Sequence, residues 1–141
     1  MKISSSFVFA LAFGLILAAI TSGPALAHHS FAAQYDRSKP NTITGPVTKV
    51  EWINPHARFF MDVKDEAGKV VSWEIELGPP AGLMRRGWTR NSLKVGESVT
   101  VNGFLAKDGS NLTNAQTVTL SDGRKVFAGS SGDAGNAGTA P

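Results

Sequence analysis

Residues 59–77, FFMDVKDEAGKVVSWEIEL, contain the pattern that decides the fold class. Apolar and polar side chains alternate with a period of two on both sides of residues 65–68, which is typical of strands that bury one face. The acidic and glycine-containing segment 65–68 predicts the turn of a hairpin. The side chains predicted to face the core are Phe59, Met61, Val63, Val71, Trp73, Ile75 and Leu77.

Residues 42–53, before this hairpin, predict a first strand that changes phase along its length. Its apolar positions follow one alternation as far as Val47 and the other from Val50 onward. A change of this kind is what a β-bulge produces, and Gly45 lies where the strand could bend. The following Asn-Pro-His segment, 54–56, predicts a turn because the residue before proline avoids helix.

The segment after the hairpin predicts a short helix and then two more strands. Gly78, Pro79 and Pro80 end the third strand, and residues 81–86 fit a helical turn or two that begins at proline. Residues 99–105 and 115–120 again alternate and predict strands four and five.

This order of elements predicts an all-β protein, a five-stranded OB-like Greek-key barrel over residues 42–128 with a helical link between strands three and four. The alternative is a small β-sandwich, which would lack that link. Residues 28–41 predict an N-terminal arm held on the barrel by Phe31 and Tyr35. Residues 129–141 are rich in Gly, Ser and Ala, which predicts a disordered tail.

The first 27 residues have the three parts of a secretory signal: a basic start at Lys2, an apolar run over 7–20, and the ending Ala25-Leu26-Ala27. The run is shorter than the roughly 20 residues of a membrane-spanning helix, so cleavage after Ala27 is favoured over an uncleaved anchor. We expect a periplasmic or secreted protein without a stable membrane anchor. The chain has no cysteine, which excludes disulfides, thiolate metal sites and a lipid-modified N-terminus.

Several short stretches resemble a family of short exported bacterial proteins of unknown function. They are His28-His29-Ser30-Phe31, Glu51-Trp52-x-Asn54-Pro55-His56, Leu83-Met84-Arg85-Arg86-Gly87-Trp88 and Lys107-Asp108-Gly109-Ser110. The resemblance extends over nearly all of the expected mature chain except its tail. It implies a periplasmic setting and a small β-barrel, and it implies no activity.

The three histidines predict a copper site. Cleavage after Ala27 gives His28 a free α-amine beside its imidazole, and the two nitrogens can chelate one metal ion. Cu(II) favours nitrogen-rich tetragonal sites, and the turn at His56 can supply a third nitrogen. This resembles the histidine brace of copper-dependent polysaccharide oxygenases and of periplasmic copper carriers, in the terminal and second histidine only. Glu74 or Glu76 can add a fourth ligand, although such carboxylates are more often solvated or paired.

His29 offers a different mode, because a second-position histidine chelates copper through the amine, the intervening amide and its own ring. Both modes need the same amine, so only one can dominate. The expected function is therefore an exported binding protein for Cu(II). The alternative is a metal-free protein that binds a periplasmic protein or a small anionic ligand.

For that alternative, Arg85, Arg86, Trp88 and Arg90 interleave basic side chains with an aromatic ring, as in sites for phosphates or bases. Export and the small net charge of +3 argue against a nucleic-acid partner. The favoured interpretation places Trp88 in the core and the arginines in solvent. The chain lacks a Gly-rich phosphate loop and a nucleophile elbow, which favours a binding protein over an enzyme.

Overall fold

The computed structural model describes residues 31–129, and their regular structure is almost entirely β, which confirms the predicted all-β class. The predicted leader 1–27, His28, His29 and residues 130–141 of the predicted tail lie outside the described residues. Within 31–129, no helix is long and apolar enough to cross a membrane. The elements are α1 (Phe31–Gln34), β1 (Tyr35–Glu51), β2 (Arg58–Lys64), β3 (Val70–Glu76), α2 (Pro80–Arg85), β4 (Ser98–Ala106), β5 (Leu112–Thr119) and β6 (Lys125–Phe127).

The strand pairings form a closed circuit. β1 pairs antiparallel with β2 and with β4, β2 pairs with β3, and β4 pairs with β5. A parallel pairing between β3 and β5 then joins the two remaining edges. The sequence predicts five strands, and the structure adds β6, because Val126 and its neighbours pair with β5. The predicted helical link is α2, which lies between β3 and β4.

β1 belongs to both halves of the circuit. It begins at Tyr35 rather than at Thr42, so a large part of the predicted arm is strand. Tyr35 and residues 40–46 pair with β4, and residues 47–51 pair with β2. A register shift between Val47 and Lys49 lies where the apolar positions change phase, so the bulge changes which face of the strand points inward.

Two glycines permit close approaches between strands. A Cβ atom at Gly45 would lie 1.9 Å from the backbone oxygen of Asp62, and one at Gly103 would lie 2.1 Å from that of Asn114. Neither approach is compatible with a side chain, because atoms in contact are normally well over 3 Å apart. The β1–β2 and β4–β5 approaches therefore depend on glycine.

The inward faces of the strands and the link after β3 form one apolar core. Its largest fully buried side chains include Trp88, Phe59, Met61, Ile75 and Leu83. The indole Nε1 of Trp88 donates a hydrogen bond of 2.8 Å to the carbonyl of Phe127. Full burial of a large apolar side chain contributes about 1.5–3 kcal/mol, so these residues are the main source of stability in a domain without disulfides.

Candidate functional site

β3 carries two carboxylates on the face opposite its core residues. Glu74 Oε1 accepts a 2.8 Å hydrogen bond from Arg58 Nη1 on the neighbouring β2, one of the pairings expected for this carboxylate. Glu76 differs from it, because it is only 7 % exposed. A buried carboxylate must be compensated by polar partners, and the structure supplies them from the loop before β2 and from β5.

The Glu76 carboxylate holds His56. Its Oε1 lies 3.2 Å from His56 Nδ1 and 3.3 Å from Asn114 Nδ2. Asn114 is directly opposite Glu76 in the parallel pairing of β3 with β5. Gln116 Nε2 donates to Asn114 Oδ1 at 3.0 Å, which extends the network by one more side chain. We refer to His56, Glu76, Asn114 and Gln116 as the Glu76 network.

The loop that carries His56 is fixed by backbone hydrogen bonds to the end of β3. Ala57 N donates to Gly78 O at 3.2 Å, and Leu77 N donates to Ala57 O at 2.9 Å. The His56 side chain remains 28 % exposed. Because Nδ1 faces the carboxylate, Nε2 is the ring nitrogen left for a ligand. A histidine held by a carboxylate through one nitrogen is the usual arrangement of a metal-ligating imidazole.

Tyr35 brings the start of the described chain to the same carboxylate. Its side chain is 2 % exposed. Burial raises the pKa of Tyr35 well above its ordinary value, and the negative charge of Glu76 raises it further, so the phenol is neutral. Within residues 31–129, three buried side-chain atoms have no hydrogen-bond partner: Tyr35 Oη, Trp52 Nε1 and Arg58 Nε. The Tyr35 hydroxyl thus lies beside Glu76 without hydrogen-bonding geometry.

Phe31 anchors the segment before Tyr35. Its ring centroid lies 5.4 Å from that of Tyr35 and 5.9 Å, edge to face, from that of Phe104 on β4. The Arg37 guanidinium lies 4.5 Å from the centre of the Phe31 ring. Lys107 Nζ donates to the carbonyl of Ala32 at 2.7 Å. Phe31 therefore packs on the sheet through Phe104 on β4 and Tyr35 on β1.

The metal ligands predicted from the sequence are only partly brought together. His56 contacts Glu76, while Glu74 is paired with Arg58. His28 and His29 precede the described residues. In the part of the chain that the structure describes, no group of three or more His, Cys, Asp or Glu side chains could hold a metal ion.

The second predicted site does not form a surface with a stacking ring. Trp88 is 2 % exposed and belongs to the core, whereas Arg85, Arg86 and Arg90 are exposed. The Arg86 guanidinium lies 4.1 Å from the centre of the Phe127 ring. A ligand at this surface would meet arginine side chains and would have no access to the face of Trp88.

Two members of the Glu76 network, Asn114 and Gln116, are not marked as site residues by the sequence. Tyr35 contacts the network from β1. Asn114 and Glu76 are 38 positions apart and meet only through the β3–β5 pairing. No local motif signals such a pair. The one available signal is the interruption of the apolar alternation in β5, where buried Thr113 and Asn114 precede Ala115.

Residues 16–115 match a family described as "Family of unknown function (DUF6152)". The chain belongs to this family. The DUF6152 match includes Tyr35, His56, Glu76 and Asn114, and it ends one residue before Gln116. No curated protein matches the chain. Membership of DUF6152 agrees with the resemblance found in the sequence and assigns no activity, so function has to be argued from the site itself.

Proposed function

We propose that the protein is exported, is cleaved after Ala27 and binds Cu(II) in the periplasm through its new N-terminus. His28 supplies its α-amine and its imidazole, and His56 supplies Nε2. In this proposal the bound ion is cargo or a bound ligand rather than a catalytic centre.

The observation that carries this proposal is the meeting of two segments at Glu76. The carboxylate holds His56 Nδ1 at 3.2 Å, and the buried Tyr35 lies beside the same carboxylate. Phe31 then fixes the chain against β4. His28 is three positions before Phe31, a span of at most about 10 Å in extended chain. A short tether to an anchored residue would reduce the entropic cost of closing a site that includes both His28 and His56.

The donor set suits Cu(II). Three nitrogens in adjacent positions match the tetragonal preference of this ion, which also heads the divalent affinity order. Glu74 and Glu76 are both engaged with protein partners. We therefore assign the fourth position to water or to an incoming donor, rather than to one of these carboxylates.

The His29 mode remains the competing geometry for the same amine. It uses only residues outside the described part of the chain and gains nothing from His56. The Glu76–His56 contact and the anchored Phe31 favour the mode that joins His28 to His56. Replacing His29 by alanine separates the two modes.

We further propose that the closed circuit of β1, β2, β3, β5 and β4 is an OB-like Greek-key barrel. Support comes from the β3–β5 pairing that joins the edges, the helix α2 between β3 and β4, and the partner change along β1. In this interpretation the Glu76 network lies on the outer face of β3 and β5, and the start of β1 reaches it through Tyr35.

A metal-free role in binding a protein or an anionic ligand is the alternative. The exposed Arg85, Arg86 and Arg90 support it by charge, but the burial of Trp88 removes the stacking surface that would make such a site specific. Copper titration decides between the two functions.

The test begins with the intact mass of the exported protein, which must correspond to a chain that starts at His28. That protein is titrated with Cu(II) against a competing chelator, and electron paramagnetic resonance counts the bound nitrogens. A mature chain whose α-amine is acetylated and a His56→Ala variant should each bind at least about tenfold more weakly, a change of about 1.4 kcal/mol.

The matched control is His29→Ala, which should bind as the unmodified chain does if His28 and His56 form the site. If the acetylated chain and His56→Ala bind Cu(II) as tightly as the mature protein, the proposed function is wrong. If only His29→Ala loses affinity, copper is held in the other mode.

A further inference from the structure

We infer that residues 31–35 form a hinged lid, which closes over a row of side chains on the face of the sheet opposite the core. The inference uses only described residues and does not depend on copper, so it goes beyond the proposed function. A lid differs from an ordinary chain end in two respects. It covers particular side chains, and it opens while the strands beneath it stay folded.

Three side chains lie next to one another across three strands and form the row under the lid. Glu76 of β3 is opposite Asn114 of β5, and Asn114 is opposite Phe104 of β4. The preceding pair, Ile75 and Thr113, is fully buried. Because side chains alternate between the two faces of a strand, the row points away from the core. We refer to these three residues as the outer row, which offers a carboxylate, a carboxamide and an aromatic ring.

The two rings of the lid lie over opposite ends of the outer row. Phe31 meets Phe104 edge to face with ring centroids 5.9 Å apart, and 5.4 Å separates the centroids of Phe31 and Tyr35. Tyr35 lies beside Glu76 at the other end. The outer face of an antiparallel sheet is commonly solvated, yet Glu76 is only 7 % exposed and Asn114 only 5 %. The two rings therefore shield the polar end of the row from water.

Residues 36–39 supply the hinge of the lid. The register of β1 on β4 is interrupted between Tyr35 and Pro40, so the residues between them form a bulge. These residues are largely exposed, and Ser38 donates from its backbone N–H and from its hydroxyl to Asp36 Oδ1. A bulge with such local hydrogen bonds can change its backbone angles while the β1–β4 ladder that continues from Pro40 stays intact.

Lys107 and the two rings hold the lid closed. Lys107 Nζ donates to the carbonyl of Ala32 at 2.7 Å, and Lys107 N donates to that of Gln34 at 2.9 Å. The Tyr35 hydroxyl has no hydrogen-bond partner within residues 31–129. Closure therefore depends on ring packing and on Lys107 rather than on a hydrogen bond to Glu76. Opening breaks these contacts alone, so it requires less free energy than unfolding of the sheet.

The experiment measures hydrogen exchange with water by nuclear magnetic resonance in the metal-free protein and in three variants. The Asn114 side-chain amide reports on the outer row, the backbone amide at position 107 reports on the lid, and the Val101 backbone amide in the middle of β4 reports on the sheet. Phe31→Ala should accelerate the first two by about tenfold, because burial of an apolar ring contributes enough free energy for such a change. Exchange at Val101 should stay as it is.

Two further variants separate the contributions of the contacts. Lys107→Met keeps an aliphatic side chain and removes the donor to the Ala32 carbonyl, so it should accelerate the same two reporters by a smaller factor. Tyr35→Phe is the matched control, because it keeps the ring and removes only the hydroxyl without a partner within residues 31–129. In Tyr35→Phe both reporters should exchange at the unmodified rate or more slowly.

Three outcomes would overturn the inference. If Phe31→Ala accelerates exchange at position 107 but not at Asn114, the segment frays without covering the outer row. If Val101 accelerates as much as Asn114, the segment opens only together with the sheet and is not a lid. If Tyr35→Phe accelerates exchange as much as Phe31→Ala, the hydroxyl rather than the rings holds the segment. No metal is present in these measurements, so their result is independent of the proposed function.

Discussion

Gly45 provides a test of the closed strand circuit, because β1 approaches the backbone of β2 closely at this residue. An alanine there would place its Cβ 1.9 Å from the carbonyl oxygen of Asp62, whereas ordinary contact begins at about 3.4 Å. The two strands would therefore have to separate by about 1.5 Å. Because the obstructing atoms are backbone, no change of rotamer can relieve the overlap.

The cost of Gly45→Ala has two parts. Overpacking of a filled interior costs about 1–3 kcal/mol. Separation of the strands also breaks at least one ladder hydrogen bond in a buried region, which adds about 1–3 kcal/mol. We expect a loss of about 4 kcal/mol in the free energy of unfolding. In a domain of this size each kcal/mol lowers the melting temperature by about 4–8 °C, so the fall should be about 15–30 °C.

Gly82→Ala is the matched control, because it makes the same chemical change in α2 with nothing within 4 Å of the new Cβ. Replacement of glycine in a helix should stabilise the protein by about 0.4–1 kcal/mol. Urea denaturation followed by tryptophan fluorescence measures both variants. A loss below about 1 kcal/mol in Gly45→Ala would refute the close β1–β2 approach and weaken the barrel interpretation.

Three further outcomes are expected. Trp88→Phe removes the donor to the Phe127 carbonyl and should cost about 2–3 kcal/mol by the same denaturation assay; a loss under 1 kcal/mol would contradict the core role of the indole. Phe31→Ala should free the N-terminal segment and lower Cu(II) affinity by about tenfold in a competition titration, or 1.4 kcal/mol, whereas equal affinity would show that the anchor is irrelevant to the metal. Hydrogen bonds from the side chain and the backbone of Ser110 hold the pKa of Asp108 below its ordinary value. Ionised Asp108 therefore stabilises the folded chain above that value, and the stabilisation is lost as the pH falls through the folded pKa. Asp108→Asn should be less stable than the unmodified chain at pH 7 and should converge with it in strongly acidic solution, as acid titration of unfolding would show.

The fold class could be predicted because each strand carries its own signal. The alternation in residues 59–77 requires only neighbouring residues, and it correctly separates core side chains such as Phe59 and Ile75 from polar ones. The phase change after Val47 was also visible locally, since a bulge alters the alternation wherever it occurs. The length of β1 could not be predicted from local sequence, because its first residues form a strand only by pairing with β4.

The candidate site was predictable only in part. His56 stands out as one of three histidines, and Glu74 and Glu76 stand out as a pair on one face. That pattern does not predict that the two carboxylates have different partners and different burial. Glu74 reaches an arginine on the adjacent β2, while Glu76 is buried between His56 and Asn114. The partners come from other elements, so no window of sequence contains them.

The sequence by itself therefore determined the alternating strands and the turns between them, because these depend on side-chain type and on the two-residue period of extended chain. The tertiary structure alone decided which carboxylate holds His56 and where the N-terminal segment is anchored. Both depend on contacts between residues distant in the chain, above all the parallel pairing of β3 with β5. Such contacts exist only after the strand circuit has closed, since short-range patterns carry no information about the partner across the sheet.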